Sequence, residues 1–232
     1  MIRRFAVFLL LLGLGVIFAK LLLGYTASEE LNLTARYYAE HTAQDLGAAN
    51  IVTAIIVTYR GLDTLGEVTV LFLTAAIIGM VLAQGRKQQA LQRQLPASGE
   101  LLTTGSRLLV PLILLLGAYV FINGHLTPGG GFQGGAIIAS AALLLLLTDP
   151  LKRFSHRLIA RVEALSGLVF ITIGVLGMVY ASGFLDSRLL PSGTFGTLFS
   201  AGVIPVIYSV IGLKVGAEFT SMLTNLAETE QS

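Results

Sequence analysis

The chain has no cysteine, no tryptophan and only three histidines, and Asp, Glu, Lys and Arg together make up 12% of its 232 residues. Without cysteine there can be no disulfide, no zinc–thiolate or iron–sulfur site and no thiol nucleophile. His41, His125 and His156 lie far apart and share no metal-ligand spacing, so the sequence offers no metal site. No stretch of it looks built to hold a redox cofactor. With so few charges and a mean hydropathy of +0.81, the chain cannot present an ordinary soluble surface.

What is present instead is apolar length. Phe5–Gly24, Thr64–Gln84, Leu108–Asn123, Phe132–Thr148, Val162–Ala181 and Phe199–Leu223 are apolar runs separated by short polar breaks. Each approaches or meets the roughly 20 residues needed to cross about 30 Å of hydrocarbon. The reading is an all-α, polytopic bundle of about six spans, with no room left for a soluble catalytic domain. The first run follows Arg3 and Arg4 like a secretory signal, but it is longer than a signal core and lacks a small-x-small cleavage site, so it is expected to be a true span.

The basic pI near 9.0 reports topology, not nucleic-acid binding. With the N-terminus inside, Arg3, Arg4, Arg86, Lys87, Arg93, Arg107, Lys152, Arg153, Arg157, Arg161 and Lys214 fall on or near the cytoplasmic side. Only Arg36, Arg60 and Arg188 fall outside, with Lys20 inside the first span. That bias follows the positive-inside rule and places both termini in the cytoplasm of a multi-pass cell-membrane protein.

Composition changes sharply at 85–105, GRKQQALQRQLPASGELLTTG. This polar, Gln-rich linker divides a two-span unit (1–84) from a four-span unit (106–223), with a polar tail at 224–232 whose last residues, Ala227–Ser232, are expected to fray. The two units show no internal repeat of the inverted-transporter kind. Ala48–Tyr59 is apolar but about 18 Å long as helix, too short to span and suited to an interfacial or re-entrant helix.

Four groups of residues are placed to do chemistry. Arg60-Gly61-Leu62-Asp63-Thr64-Leu65-Gly66-Glu67 opens the second span. Thr64 and Glu67 match a capping box with Arg60 neutralising the acids; alternatively, Glu67 sits a turn inside the membrane, where a costly ionisable group serves ion transfer. Gly124-His125-Leu126-Thr127-Pro128-Gly129-Gly130-Gly131-Phe132-Gln133-Gly134-Gly135 formally contains G-x-G-x-x-G, but no strand precedes it and no βαβ unit surrounds it, so it is not a dinucleotide site. Pro128 and the glycines make it a tight turn or broken helix whose small residues offer a packing face. His125 is its proton-exchanging group. Lys214 and Glu218, one turn apart in the last span, are either a snorkelling pair near the surface or a buried pair in a proton path. Upstream in the same run, Pro205 is expected to kink the helix. Lys20 is explained by snorkelling but stays, with Arg60, Asp63, Glu67, His125, Lys214 and Glu218, a candidate for ion translocation, while Glu163, at a helix N-terminus, is given no role.

The string from His125 to Gly135, followed by a helix of small apolar residues, resembles the MnhB/MrpB family, small subunits of multi-subunit Mrp-type sodium/proton antiporters. The resemblance covers roughly 106–223. Asn50-Ile51-Val52-Thr53-Ala54-Ile55-Ile56-Val57-Thr58-Tyr59, running into Arg60–Glu67, resembles the C-terminal region of the large subunit MrpA. The same region occurs as the E subunit of membrane-bound hydrogenases. Together they make the chain look like a fusion of an E-like and a B-like subunit, joined at the Gln-rich linker. The resemblance implies a non-catalytic subunit in a hetero-oligomeric complex with other antiporter-type membrane subunits, in the lipid bilayer, moving Na+ and H+ without a cofactor of its own. It also implies an ion-transfer role for Glu67 and functional sensitivity at His125, Pro128 and Phe132, and leaves two alternatives: the equivalent subunit of a redox-driven pump, or a structural adaptor without an ion path of its own.

Overall fold

A computed structural model describes residues 2–25, 30–86, 99–149 and 154–230. In lipid every backbone N–H and C=O must be satisfied within the segment, which the apolar runs achieve as helices. Among the described residues the regular structure is all helical: α1 (Ile2–Leu23), α2 (Leu33–Leu46), α3 (Ile51–Ala54) continuing as a π-turn (Ile55–Tyr59), α4 (Gly61–Arg86), α5 (Glu100–Ile122), α6 (Gly131–Thr148), α7 (His156–Tyr180), a 3-10 turn (Ser187–Leu189) and α8 (Ile204–Glu230). Six of these helices, α1, α4, α5, α6, α7 and α8, are long and apolar enough to cross a membrane.

Several boundaries depart from the sequence reading. The last residues of the expected linker, 100–105, form the first turns of α5. Residues 87–98, with Lys87 and Arg93, lie outside the described residues, as do Lys152, Arg153 and 231–232. The polar tail from 227 is drawn into the last helix, which runs on to Glu230, and His156 Nε2 meets Glu228 Oε1 at 2.8 Å. Pro205 does not kink a span. It sits in the first turn of α8, where its missing N–H would have had no helical partner.

The chain divides into two compact units, Met1–Tyr37 and Tyr38–Ser232, with the boundary inside α2. In the first unit, the apolar side chains of α1 are exposed along its length, and Lys20 occupies its last turn.

In the second unit α8 is the axis. Of its span 61% is buried, against 39% for α6, 28% for α7, 17% for α5 and 6% for α4. α5, α6, α7 and α4 pack against it, and α4 and α7 pack on α8 instead of on each other. Bilayer tails are as apolar as leucine, so helices associate here by close approach of small residues. A Cβ on Gly134 would stand 2.7 Å from the Gly117 carbonyl oxygen of α5, and one on Gly135 would stand 2.7 Å from that of Gly212 on α8. α6 therefore shows a glycine to each neighbour, the packing face read from its sequence.

The best-packed region lies at one end, around the first half of α8 and the segment 181–203. Ile204, Ile207 and Ile211 meet Val57 of the π-turn, Phe170 of α7 and Leu185, and Phe184 abuts Phe170 edge to face at 6.1 Å. The segment is fixed by Asp186, which accepts from the Ser182 N–H at 3.1 Å and from the Arg188 backbone N–H and Nε at 2.9 Å.

A cavity at the glutamate of α4 and a charged groove beside α8

The first site is built where the short helix α3 meets the glycine-rich string. Asn50 caps α3 through its Oδ1, accepting from the Val52 N–H at 3.1 Å and the Thr53 N–H at 3.4 Å. Its other groups hold the string: Nδ2 donates to the Gly124 and Thr127 carbonyls at 2.9 Å, and its backbone N–H donates to the His125 carbonyl at 3.0 Å. The Thr53 hydroxyl donates to the Gly124 carbonyl at 2.5 Å. The carbonyls of Gly124, His125 and Thr127 are thus satisfied from a distant part of the sequence, as irregular backbone at membrane depth requires. Gly129 is fixed as glycine on two counts. Its φ is +154°, and a Cβ would stand 3.0 Å from the Val120 carbonyl oxygen.

The π-turn sets the entry of α4. Arg60 N–H bonds back to the Ile55 carbonyl at 2.8 Å, a five-residue step that leaves the Ile56 carbonyl without a helical partner. The Thr64 hydroxyl takes it at 2.7 Å. Since α4 already begins at Gly61, Thr64 lies inside the first turn and the capping-box reading fails. Arg60 and Asp63 form an exposed ion pair at the helix start. Glu67 is thereby released from any capping duty.

Glu67 instead lines a cavity of about 360 Å³ together with Val52, Thr64, Gln133 and Tyr208, and with Gly129, Gly131 and Phe132 of the string. Both halves of the sequence contribute walls. Tyr208 of α8 is buried. It also rests on Gly124 and Gly130, where any Cβ would crowd its ring.

His125 does not join this cavity. It is fully buried, with Nε2 at 3.4 Å from the Thr197 carbonyl of segment 181–203 and Nδ1 without a partner. Burial holds its pKa below the ordinary 6.5, opposed by the carbonyls of Thr197, Ile122 and Leu198. Pro128 is exposed at the tip of the turn.

The second site lies farther along α8. Lys214 and Glu218 are both buried, with Nζ to Oε1 at 2.6 Å, so the snorkelling reading is replaced by a closed pair. Lys214 Nζ also sits 5.2 Å from the centre of the Phe72 ring of α4. It lies at the floor of a groove of about 390 Å³ between α4 and α7, lined mainly by apolar side chains and by Glu163. Sequence reasoning missed Glu163, Tyr208, Asn50 and Thr53. Glu163 opens an apolar run, and the other three look like ordinary turn or helix residues until the two halves are folded together. Among the described residues no three His, Cys, Asp or Glu side chains cluster as a metal site.

Residues 101–221 match the model of a domain related to the MnhB subunit of Na+/H+ antiporter, and residues 2–94 match MbhE, the model of the E subunit of MBH. The chain is 38% identical over 88 residues to the B subunit of a Na+/H+ antiporter of Bacillus subtilis, covering 37% of this chain and 62% of that one. A chain of the archaeal membrane-bound sulfane sulfur reductase, a respiratory membrane complex, superposes with TM-score 0.83 at 39% identity, covering 97% of this chain and 98% of that one. A chain of the Mrp complex from Dietzia gives TM-score 0.79 at 25% identity, covering 99% of this chain but 26% of that one. Six apolar helices and antiporter-subunit relatives identify a multi-pass membrane protein. With more than half of its length matched, the chain belongs to the family of domains related to the MnhB subunit of Na+/H+ antiporters.

Proposed function

We propose that the chain is a non-catalytic membrane subunit of a multi-subunit Mrp-type cation/proton exchanger and supplies part of its ion path. Glu67 is the ion-carrying group. The observation that supports this is its place in a cavity walled by both the E-like and the B-like halves, beside Thr64, Gln133 and Tyr208. A carboxylate about 9 Å into a span is costly unless it meets an ion, a proton or a partner, and its capping role is removed by the geometry of Thr64. Asp63 and Arg60 set the charge at the mouth. From Tyr208, six residues of α8, about 9 Å, lead to Lys214 and Glu218, which continue the path toward the cytoplasmic face. His125 serves the wall, and Lys20, in the other compact unit, is given no part in the path. The partners of the chain are other antiporter-type membrane subunits, as in the complexes of its relatives, with Na+ and H+ as the ions moved and the cell membrane as its site.

The test is Glu67→Gln in the assembled complex. Sodium-dependent proton flux in membrane vesicles is expected to fall to background while the complex still co-purifies. Failure of assembly would return Glu67 to a structural role, and unchanged flux would remove it from the path. A redox-driven complex is the second reading, favoured by the end-to-end match to the sulfane sulfur reductase chain. Mass spectrometry of what co-purifies in mild detergent separates the two: antiporter-type subunits alone support the exchanger, and iron–sulfur or nickel–iron subunits support the redox-driven complex.

A further inference from the structure

The groove beside α8 carries an unbalanced charge at the middle of the membrane. Lys214 is ten residues past the start of α8, about 15 Å along the axis and so near the centre of a layer about 30 Å thick. Glu218 is 0% exposed. One oxygen holds Lys214, while the other, Oε2, is buried with no partner. Glu163 of α7 lines the groove that Lys214 floors. One ammonium and two carboxylates leave one negative charge uncompensated.

Either a metal cation or a proton can balance that charge. A hard metal cation needs about six oxygen ligands. The groove lining supplies few besides the Glu163 carboxylate, Glu218 being fully buried and reached through Lys214, and Thr69 already donates its hydroxyl to the Leu65 carbonyl at 2.7 Å. Lys214 Nζ, held at one Glu218 oxygen, also repels a second cation there. A proton needs only one acceptor, and Glu218 Oε2 and the Glu163 carboxylate are both available.

We infer that Lys214, Glu218 and Glu163 form a proton-binding cluster in which one proton is taken up and released by the carboxylates beside a permanently paired lysine. A carboxylate gains an O–H bond and the cluster becomes neutral; release reverses this, with no other bond changed. The lateral groove between α4 and α7 gives the proton a route in from the side. The inference rests on the proposed ion-path role and specifies the ion at this point of it.

No other ionisable group intrudes among the described residues. From α4 the facing side chains are Thr69 and Phe72, which do not titrate, and Glu67 belongs to the other cavity. The sequence of α6 brings none, and Arg107 of α5 and Arg157 and Arg161 of α7 are exposed.

The test is infrared difference spectroscopy of the purified complex across a pH step, comparing wild type with Glu163→Gln and Glu218→Gln. A protonated-carboxyl band present in wild type is expected to vanish in Glu163→Gln and to be unchanged when NaCl replaces choline chloride. Glu163→Asp, which keeps the acid, should retain the band at a shifted frequency and guards against a merely misfolded variant. Loss of the band on adding Na+ would make this a metal-cation site. A band unchanged in both Gln variants would make the cluster a static ion pair. Either result would overturn the inference and leave the subunit's role, judged by flux through Glu67, untouched.

Discussion

Adding a single methyl group at Gly135 tests the packing that builds both sites. In Gly135→Ala the new Cβ stands 2.7 Å from the Gly212 carbonyl oxygen, 2.7 Å from Val215 Cβ and 2.9 Å from the Gly216 nitrogen. Two of these atoms are backbone, and the third is a branched carbon bonded directly to it, so none can swing aside. Optimal carbon contacts lie near 3.5–4.0 Å, and α6 and α8 must therefore part by about 0.5–1 Å. Such a gap forfeits a quarter to a half of each dispersion contact along the seam. Overpacking of this kind costs about 1–3 kcal/mol, against a helix-propensity gain of about 1 kcal/mol for replacing glycine. The net loss of up to about 2 kcal/mol should lower the melting temperature by up to roughly 8 °C, read by far-ultraviolet circular dichroism in detergent. Gly105→Ala in α5 is the matched control. A Cβ there meets nothing within 4 Å, so only the propensity gain remains and the melt should stay level or rise. If both variants move the melt the same way, the close approach of α6 to α8 is wrong, and with it the placement of Tyr208 against the glycine string.

Two further perturbations address the buried charges. Lys214→Met leaves Glu218 without its counter-ion and should cost about 3–5 kcal/mol, whereas Lys214→Met combined with Glu218→Leu should recover most of it; thermal melts of the singles and the double form the cycle, and additivity would show that the pair is not closed. Because burial holds the His125 pKa below its ordinary 6.5, the unfolded chain binds a proton there before the folded one does. Stability from this residue is therefore complete above pH 6.5 and falls as pH drops toward the lower folded value, by at most about 1.4 kcal/mol per pH unit. The difference in melting between about pH 7.5 and 5.5 should shrink in His125→Gln; an unchanged difference would mean the imidazole is not buried neutral.

The six spans were legible because the bilayer imposes one strong rule: length without charge. The glycine face of α6 was legible for a related reason, since small residues in an apolar run have few uses other than close packing. The sites were legible only in part, and the failures share a cause. Thr64 and Glu67 satisfy a capping pattern locally, but the π-turn before them moves the helix start to Gly61, and no local pattern announces a five-residue hydrogen-bond step. Lys214 looked free to snorkel because its burial depends on α4 and α7 closing around α8, with Phe72 arriving from 142 positions earlier in the chain. Glu163 looked like a helix-terminal acid, yet α7 begins seven residues before it, at His156, which carries the carboxylate inward to the groove. His125 was recognised as a proton-exchanging residue, but Asn50 fixes the string so that Gly129–Gln133, and not the imidazole, face Glu67. In each case the residue type was informative and its address was not. For Lys214 and His125 the address came from contacts between the two halves of the chain, and Asn50, a side chain with no titratable group, is one of the residues that tie those halves together at the Glu67 cavity.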